Sequence, residues 1–172
     1  MANSFQEDLK YSDSATAKGF WGDAYEEAFP TMSAWAINDE NNQSQRLGID
    51  HLIHLGSGRT LRIDAKSRRE VWDDILLEFC AKKGKGVAGW INKDLQIDYL
   101  AYAFEPIRQV HLFDWITLQR AWRKYGDRLK ENCEIVEAYN EPSYGEPYTT
   151  QSVAVPIDWL KQAVQESLTV DF

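Results

Sequence analysis

The sequence has few cysteines and no long apolar run. Its two cysteines, Cys80 and Cys133, form no disulfide framework and suit a reducing compartment. No apolar run approaches the roughly 20 residues that span a bilayer. The N-terminus, MANSFQEDLK, lacks the basic-then-apolar pattern of a signal peptide. These absences predict a cytoplasmic protein and argue against the secreted and membrane-spanning classes.

Several familiar catalytic patterns are also missing. The chain has no Gly-rich phosphate loop, no Cys-His-Asp arrangement and no nucleophile elbow around a serine. His51 and His54 are three residues apart in a predicted strand, so they point to opposite faces and do not suit one zinc ion. We interpret His51 as a core residue.

Composition predicts a folded chain with an acidic surface. Of 172 residues, 44% are hydrophobic and 13% are aromatic, which predicts a single domain over residues 15–172 after a flexible arm over 1–14. The net charge of −8 argues against nucleic-acid binding. Residues 59–93 nevertheless hold nine Lys and Arg against five acids, so a basic face and scattered solvated charge both stay open.

The hydrophobic pattern predicts an α/β (α+β) fold with a mixed central sheet flanked by helices. A helix is expected over about 14–35, ended or bent by Pro30, and polar loops over 38–47 and 138–149. Residues 67–80 fit either a helix or a strand. Further strands are predicted at IDYLAYAF, QVHLF and SVAVP, with helices from Asp114 to near Gly126 and from Asp158 to about Leu168. Four tryptophans at apolar positions are expected in the core: Trp90, Trp115, Trp122 and Trp159.

The stretch GIDHLIHLGSGRTLRIDAKSR, residues 48–68, predicts a β-hairpin. A three-residue turn at Gly56-Ser57-Gly58 is a common hairpin length. It pairs Leu55 with Arg59, Ile53 with Leu61, His51 with Ile63 and Ile49 with Ala65 on a core face. The other face then pairs His54 with Thr60, Leu52 with Arg62 and Asp50 with Asp64, with Lys66 on the same side. A bulge or a two-residue turn would change this register.

Two aspartates opposite each other repel unless something offsets their charge. Three ways to offset this repulsion stay open. One carboxyl could be protonated, Lys66 or Arg62 could neutralise the charge, or a divalent cation could bridge the two carboxylates. Magnesium takes oxygen ligands and often binds one or two carboxylates with waters and a substrate phosphate. The alternative is a solvent-exposed strand face with a local Asp64–Lys66 pair, because D-x-K alone is a weak motif.

These residues resemble the PD-(D/E)xK nuclease superfamily, which includes many restriction enzymes, junction resolvases and phage or repair nucleases. The resemblance covers about residues 15–70: Gly22-x-x-x-Glu26-x-x-Phe29 in the first helix, Gly48-Ile49-Asp50, and Asp64-Ala65-Lys66. The proline that usually precedes the first aspartate is absent. The resemblance implies a restriction-endonuclease-like core and a Mg²⁺-dependent nuclease, with Mn²⁺ as a substitute and DNA as the expected partner. Such proteins often act as homodimers.

The resemblance also implies site roles. Asp50, Asp64 and the Ala65 backbone carbonyl would bind the metal, Glu26 would be a further ligand, and Lys66 would position or activate the attacking water. Glu27 competes with Glu26, and Glu78 is a more distant candidate, while a solvated helix face is an equal reading for both helix glutamates. Six basic residues are candidate backbone contacts or plain solvated charges: Arg62, Arg68, Arg69, Lys82, Lys83 and Lys85.

Two other functions stay open from the sequence. The overall acidity favours a catalytically inactive protein of nuclease fold that serves as a protein-interaction or DNA-binding module. The other alternative is a hydrolase or binding module of unrelated α+β fold, in which the hairpin is purely structural.

Overall fold

The computed structural model describes residues 15–38, 47–142 and 145–168. The predicted arm over 1–14 and most of the predicted loop over 38–47 lie outside these ranges. The described residues form three helices and nine strands: α1 Ala15–Ala28, β1 Met32–Ile37, β2 His51–Leu55, β3 Thr60–Arg68, β4 Asp74–Lys82, β5 Val87–Ala88, β6 Tyr99–Phe104, β7 Gln109–Asp114, α2 Trp115–Asn132, β8 Glu134–Asn140, β9 Tyr148–Pro156 and α3 Ile157–Ser167. Short 3₁₀ turns occur at Trp90–Asn92 and Glu105–Ile107. The predicted α+β class with a mixed sheet is confirmed.

The chain divides into two compact units. The first unit comprises the described parts of residues 1–71 and 96–112, and the second comprises those of 72–95 and 113–172. Our expectation of one domain over 15–172 stays a prediction, because a division into compact units does not settle how many domains a chain has.

The first unit contains a five-stranded mixed sheet in the order β1-β2-β3-β6-β7. Strands β1, β2 and β3 are antiparallel neighbours, whereas β3 and β6 run parallel. Helix α1 covers one face, where its aromatic side chains pack on aliphatic residues of the sheet. This cluster consists of Phe20, Trp21, Tyr25, Ile53, Leu61, Ile63, Ala101 and Ala103. Burial of these large apolar surfaces is the main force that holds α1 on the sheet.

The hairpin has the predicted register over its whole paired length. His51 pairs with Ile63, Leu52 with Arg62, Ile53 with Leu61 and His54 with Thr60. The turn closes as expected, since the Leu55 N–H donates to the Arg59 carbonyl at 2.9 Å. Gly58 has φ +83°, a backbone conformation that favours glycine. The side chains of Ile53 and Ile63 are fully buried, which confirms the predicted core face.

The second unit contains an antiparallel sheet in the order β5-β4-β9-β8, with helices α2 and α3 against β9. Its buried side chains are aliphatic and aromatic, including Ile75, Leu77, Val153 and Val155. Asp114 caps α2 as predicted, because its carboxylate accepts the Thr117 N–H at 2.9 Å. Residues 74–82 form a strand, which resolves the ambiguity between helix and strand.

Three predictions of the element pattern are wrong. The first helix ends at Ala28, which agrees with the expectation that Pro30 ends or bends it, but the predicted bound at Trp35 is wrong because Trp35 lies in β1. The predicted loop over 138–149 contains the end of β8 and the start of β9. Gly126 lies inside α2, which continues to Asn132. A Cβ at Gly126 would lie 3.0 Å from the Trp122 ring, so this glycine serves close packing and does not end the helix.

The burial of the tryptophans and the state of the cysteines complete the comparison of fold and prediction. Trp115 and Trp122 are buried as predicted, but Trp159 is 51% exposed and its assignment to the core is wrong. Cys80 and Cys133 are free cysteines. Among the described residues, no helix is both long and apolar enough to cross a membrane.

Candidate active site

The site lies in the first unit, at the end of the hairpin away from its turn. Asp64 is in the middle of β3, and Asp50 immediately precedes β2. The paired part of the ladder stops at His51 and Ile63, and beyond it the Asp50 N–H donates to the Ile63 carbonyl at 2.9 Å. Lys66 Nζ contacts a carboxylate oxygen of each aspartate, which places the two carboxyl groups side by side. The predicted convergence of these two aspartates is therefore present, although they are not a pair of the regular ladder.

Lys66 joins both carboxylates. Its ammonium group donates to Asp64 Oδ1 and lies 4.0 Å from Asp50 Oδ2. Side chains alternate along a strand, so Lys66 lies on the same face of β3 as Asp64, two residues on. One cation thus sits beside two carboxylates, and the cluster carries a net charge of about −1 when both acids are ionised.

The three side chains differ in their access to solvent. The side chain of Asp64 is only 2% exposed, whereas that of Asp50 is 40% and that of Lys66 36% exposed. Partial burial raises the pKa of Asp50 from 3.8 to about 7; Lys66 lowers it, and the neighbouring Asp64 charge raises it further. The site thus consists of the buried carboxylate of Asp64 and the partly exposed side chains of Asp50 and Lys66.

Ala65 contacts Asp50 through its backbone. Its N–H donates to Asp50 Oδ2 at 2.9 Å. The N–H and the C=O of a strand residue point to the same edge of the strand, so the Ala65 carbonyl is directed to the edge where Asp50 lies. The backbone at Ala65 is consistent with the metal-binding role implied by the resemblance, and that role stays a prediction.

Behind the site lies a buried polar pair that the sequence pattern did not indicate. The Tyr25 hydroxyl and His51 Nδ1 are hydrogen-bonded at 2.6 Å. Burial lowers the pKa of His51 to about 4, so the imidazole is neutral at neutral pH. Burial, together with the negative charges of Asp50 and Asp64, raises the pKa of Tyr25 well above its usual value. The Tyr25 hydroxyl is therefore within electrostatic range of both carboxylates and stays protonated.

The segment that carries Asp50 is held from both sides. The Asn38 N–H donates to the Asp50 carbonyl at 2.8 Å, and the Asn38 side chain donates to the Ile49 carbonyl at 2.9 Å. The imidazole of His51 packs edge-on against Trp21 and Trp35, with ring centroids 5.3 and 5.4 Å away. These contacts fix the backbone on both sides of Asp50 before any ligand binds.

Glu26 is not part of this cluster, and the grouping expected from the resemblance is corrected here. Trp21 and Tyr25 are the buried residues of α1, while Glu26 and Glu27 are exposed. Successive residues of a helix are about 100° apart, so a buried Tyr25 turns Glu26 away from the sheet. In the sequence, the spacing of Trp21 and Tyr25, four residues apart, indicated which face of α1 is buried.

The described residues contain no group of three or more His, Cys, Asp or Glu side chains arranged to hold a metal ion. The cluster at the end of the hairpin thus contains two carboxylates, those of Asp50 and Asp64. Such a pair is the usual share of protein ligands for Mg²⁺, which keeps several waters and takes the remaining oxygens from substrate phosphates. Glu78 lies in the second unit, and its carboxylate accepts the Trp90 N–H at 3.3 Å.

The basic candidates are divided between the two units. Arg62 is hydrogen-bonded to Asp98, and Arg68 and Arg69 are in the same unit. In the second unit, Lys83 pairs with Glu137 at 2.6 Å and Lys85 with Glu146 at 2.7 Å. The ammonium group of Lys82 lies over the Tyr148 ring. Their contact with nucleic acid stays a prediction.

Comparison of the chain with protein-family models, curated proteins and solved structures finds no significant match.

Proposed function

We propose that this chain is a metal-dependent nuclease that hydrolyses phosphodiester bonds in DNA. One observation carries the proposal: Asp50, Asp64 and Lys66 converge at one end of the hairpin, with two of the three reachable from solvent. A buried carboxylate such as Asp64 is unfavourable for stability unless it is compensated, and such groups concentrate at functional sites.

The donor set fits a hard divalent cation. All candidate ligands are oxygens, namely the two carboxylates and the Ala65 carbonyl. Burial, together with the charge of Asp64, raises the pKa of Asp50 to about 7, and a bound cation would favour the ionised form of both carboxylates. Mg²⁺ and Mn²⁺ are the ions that suit this chemistry, and when bound they lower the pKa of water and offset charge on the phosphate.

The chain's own residues would then divide the work. Asp50 and Asp64 hold the cation, and the Ala65 N–H keeps the Asp50 carboxylate in place. Lys66 orients the attacking water and offsets negative charge that develops on the phosphate. Hydrolysis joins the water oxygen to phosphorus and breaks one P–O ester bond, while the leaving oxygen takes up a proton.

The direct test incubates the protein with plasmid, linear duplex and single-stranded DNA in Mg²⁺, in Mn²⁺ and in EDTA. Cleavage is expected with either metal and not with EDTA. Lys66→Ala and Asp64→Asn are expected to lower the rate by about 10²–10⁴-fold, the range for removal of a positioned proton-transfer or charge-stabilising group. Lys161→Ala is the matched control, since Lys161 is exposed on α3 and is not among the candidate contacts with nucleic acid.

Melting curves establish that each variant is folded. Cleavage that persists in both Lys66→Ala and Asp64→Asn would remove the catalytic assignment. Addition of Mg²⁺ should also raise the melting temperature of the wild type, because a ligand that binds the native state stabilises it. This stabilisation should be reduced in Asp64→Asn.

A second function is favoured by the ion pairs of the basic residues. Arg62, Lys83 and Lys85 already have acidic partners, and the net charge of the chain is −8. A catalytically inactive protein of the same fold, acting as an interaction module, fits this charge distribution. Folded protein that binds Mg²⁺ but cuts no DNA or RNA under any of these conditions would favour this function.

A further inference from the structure

Two arginines on the hairpin share one carboxylate. Asp98 accepts from Arg59 Nη2 at 3.2 Å through Oδ1, and from Arg62 Nε at 3.3 Å through Oδ2. Asp98 is itself fixed by backbone bonds. Its N–H donates to the Arg62 carbonyl at 2.7 Å, and its Oδ2 also accepts the Arg62 N–H at 2.9 Å. Both guanidinium groups are thus oriented by a carboxylate that belongs to the same unit.

The arginine pair lies next to the candidate active site. Arg62 and Asp64 are two residues apart on the same face of β3, which corresponds to about 6.6 Å along the strand. That separation is close to the spacing of neighbouring phosphates along a nucleic-acid strand. A strand whose scissile phosphate lies at Asp50 and Asp64 would therefore bring its next phosphate to Arg62 and Arg59.

The charge of this cluster exceeds what a structural tie needs. The Asp98 N–H bonded to the Arg62 carbonyl and the Arg62 N–H bonded to the Asp98 carboxylate already join the hairpin to the segment before β6. One arginine would neutralise Asp98, and the second leaves a net positive charge of about one. The side chains of Arg59 and Arg62 remain 65% and 42% exposed. Their contacts with Asp98 use one nitrogen each, so other N–H donors of each guanidinium are available to an anion.

We infer that Arg59 and Arg62, oriented by Asp98, bind the phosphate next to the one that is cleaved. This inference rests on the nuclease function proposed above and specifies its substrate class, a polynucleotide strand with at least two consecutive phosphates. The planar guanidinium fork matches the geometry of phosphate oxygens, which a lysine does not reproduce. Asp98 acts as a positioning residue, because it holds the forks and does not itself contact the strand.

The experiment measures binding of a fluorescent single-stranded oligonucleotide by anisotropy in EDTA, where cleavage is blocked. Arg59→Gln/Arg62→Gln is compared with Arg120→Gln/Arg123→Gln, which removes the same charge from exposed positions of α2. The hairpin double variant should bind at least about tenfold more weakly than the control, because hydrogen bonds to charged groups are among the stronger ones. The slope of log affinity against log salt should fall by about 0.7 in the hairpin double variant, the value for one neutralised phosphate of a single strand.

The variant Arg62→Lys separates the contribution of positive charge from that of guanidinium geometry. It keeps the charge and loses the fork, so it should recover the salt slope but only part of the affinity. A purely structural role would instead change the melting temperature and leave the salt slope alone. Should the double variant fail to fold, Arg59→Gln alone serves, since it leaves the Arg62–Asp98 bonds intact.

Kinetics separate this inference from the function on which it rests. On an oligonucleotide in Mg²⁺, the hairpin double variant should lose kcat/KM, whereas on bis(4-nitrophenyl) phosphate, which has one phosphate, it should match the wild type. Absence of any cleavage by the wild type would overturn the proposed nuclease, while the EDTA titration would still decide the arginine site. Equal binding by the two double variants, or no binding by the wild type at low salt, would overturn the phosphate site.

Discussion

The two units bury very different side chains. The sheet of the second unit packs aliphatic residues. Among the described residues of that unit, Ser167 in α3 is the only buried polar one. The first unit buries Asp64 and His51 in the same sheet that carries its core. Both units are compact, so the polar residues of the first are not a sign of poor packing. Buried ionisable groups concentrate at functional sites, which is why the proposed function is assigned to this unit.

The energetic reason is the cost of removing charge from water. An ionised carboxylate inside a protein is tolerated only with a partner, and Lys66 provides it for Asp64. A pair of well-packed apolar residues would serve stability at least as well. The second unit instead keeps its charges on the surface, where Lys83 and Lys85 pair with glutamates. Natural sequences depart from such packing rules mainly at functional sites.

The largest effect on stability should come from the core of the second unit. Leu77 is fully buried in β4, so Leu77→Ala should lower the free energy of unfolding by about 2–5 kcal/mol, the cost of lost burial and a residual cavity. Chemical denaturation measures this change. The stabilisation by Mg²⁺ should be unchanged, because both candidate metal ligands are in the first unit. If Mg²⁺ no longer stabilised this variant, the metal site would depend on the core of the second unit, against the expectation stated here.

An intermediate effect should come from Asp50, and it should depend on pH. Its pKa is raised in the folded state to about 7, so the native protein retains a proton that the unfolded chain has released above pH 3.8. Stability contributed by this group therefore falls as pH rises from about 4 to 7. In EDTA, the melting temperature of Asp50→Asn relative to the wild type should rise across this window.

The neighbouring histidine does not confuse this measurement. His51 has a lowered pKa and acts in the opposite direction, since its contribution is lost as pH falls from 6.5 to 4. Both proteins contain His51, so its contribution largely cancels in their difference. A melting-temperature difference that stays constant from pH 4 to pH 8 would mean that Asp50 is ionised normally in the folded protein.

The smallest effect should come from the surface of the second unit. Lys83→Ala removes an exposed ion pair with Glu137, and such pairs contribute little because water and salt screen them. Its melting temperature should lie within experimental error of the wild type in 0.15 M salt. A clear loss of stability would show that surface charge holds this unit together more than its apolar core suggests.

Local patterns predicted the hairpin well because two local rules agreed. The turn at Gly56-Ser57-Gly58 set which residues pair, and the alternation of apolar side chains set which face is buried. The same locality explains the correct N-cap at Asp114, whose carboxylate reaches a backbone N–H three residues away. The regular ladder ends at His51 and Ile63, so it brings Asp50 to the same end of the hairpin as Asp64 and Lys66 but does not pair the two acids.

Predictions failed where side-chain packing decides, whether within one helix or between segments. Gly126 was interpreted as the end of a helix, but its missing Cβ makes room for the Trp122 ring. Glu26 was assigned to the site by motif, but the phase of α1 depends on how Trp21 and Tyr25 pack on the sheet. Trp159 was placed in the core from its apolar neighbours alone, and it is half exposed.

The sequence by itself determined the pairing of β2 with β3 and the shared face of Asp64 and Lys66, because strand alternation and turn length act over a few residues. Only the tertiary structure decided what surrounds them. Tyr25 is 26 residues from His51, and Asp98 is 36 from Arg62, and such contacts form only when the sheet and its helix assemble. No local periodicity encodes them, because they depend on the burial of a whole face at once.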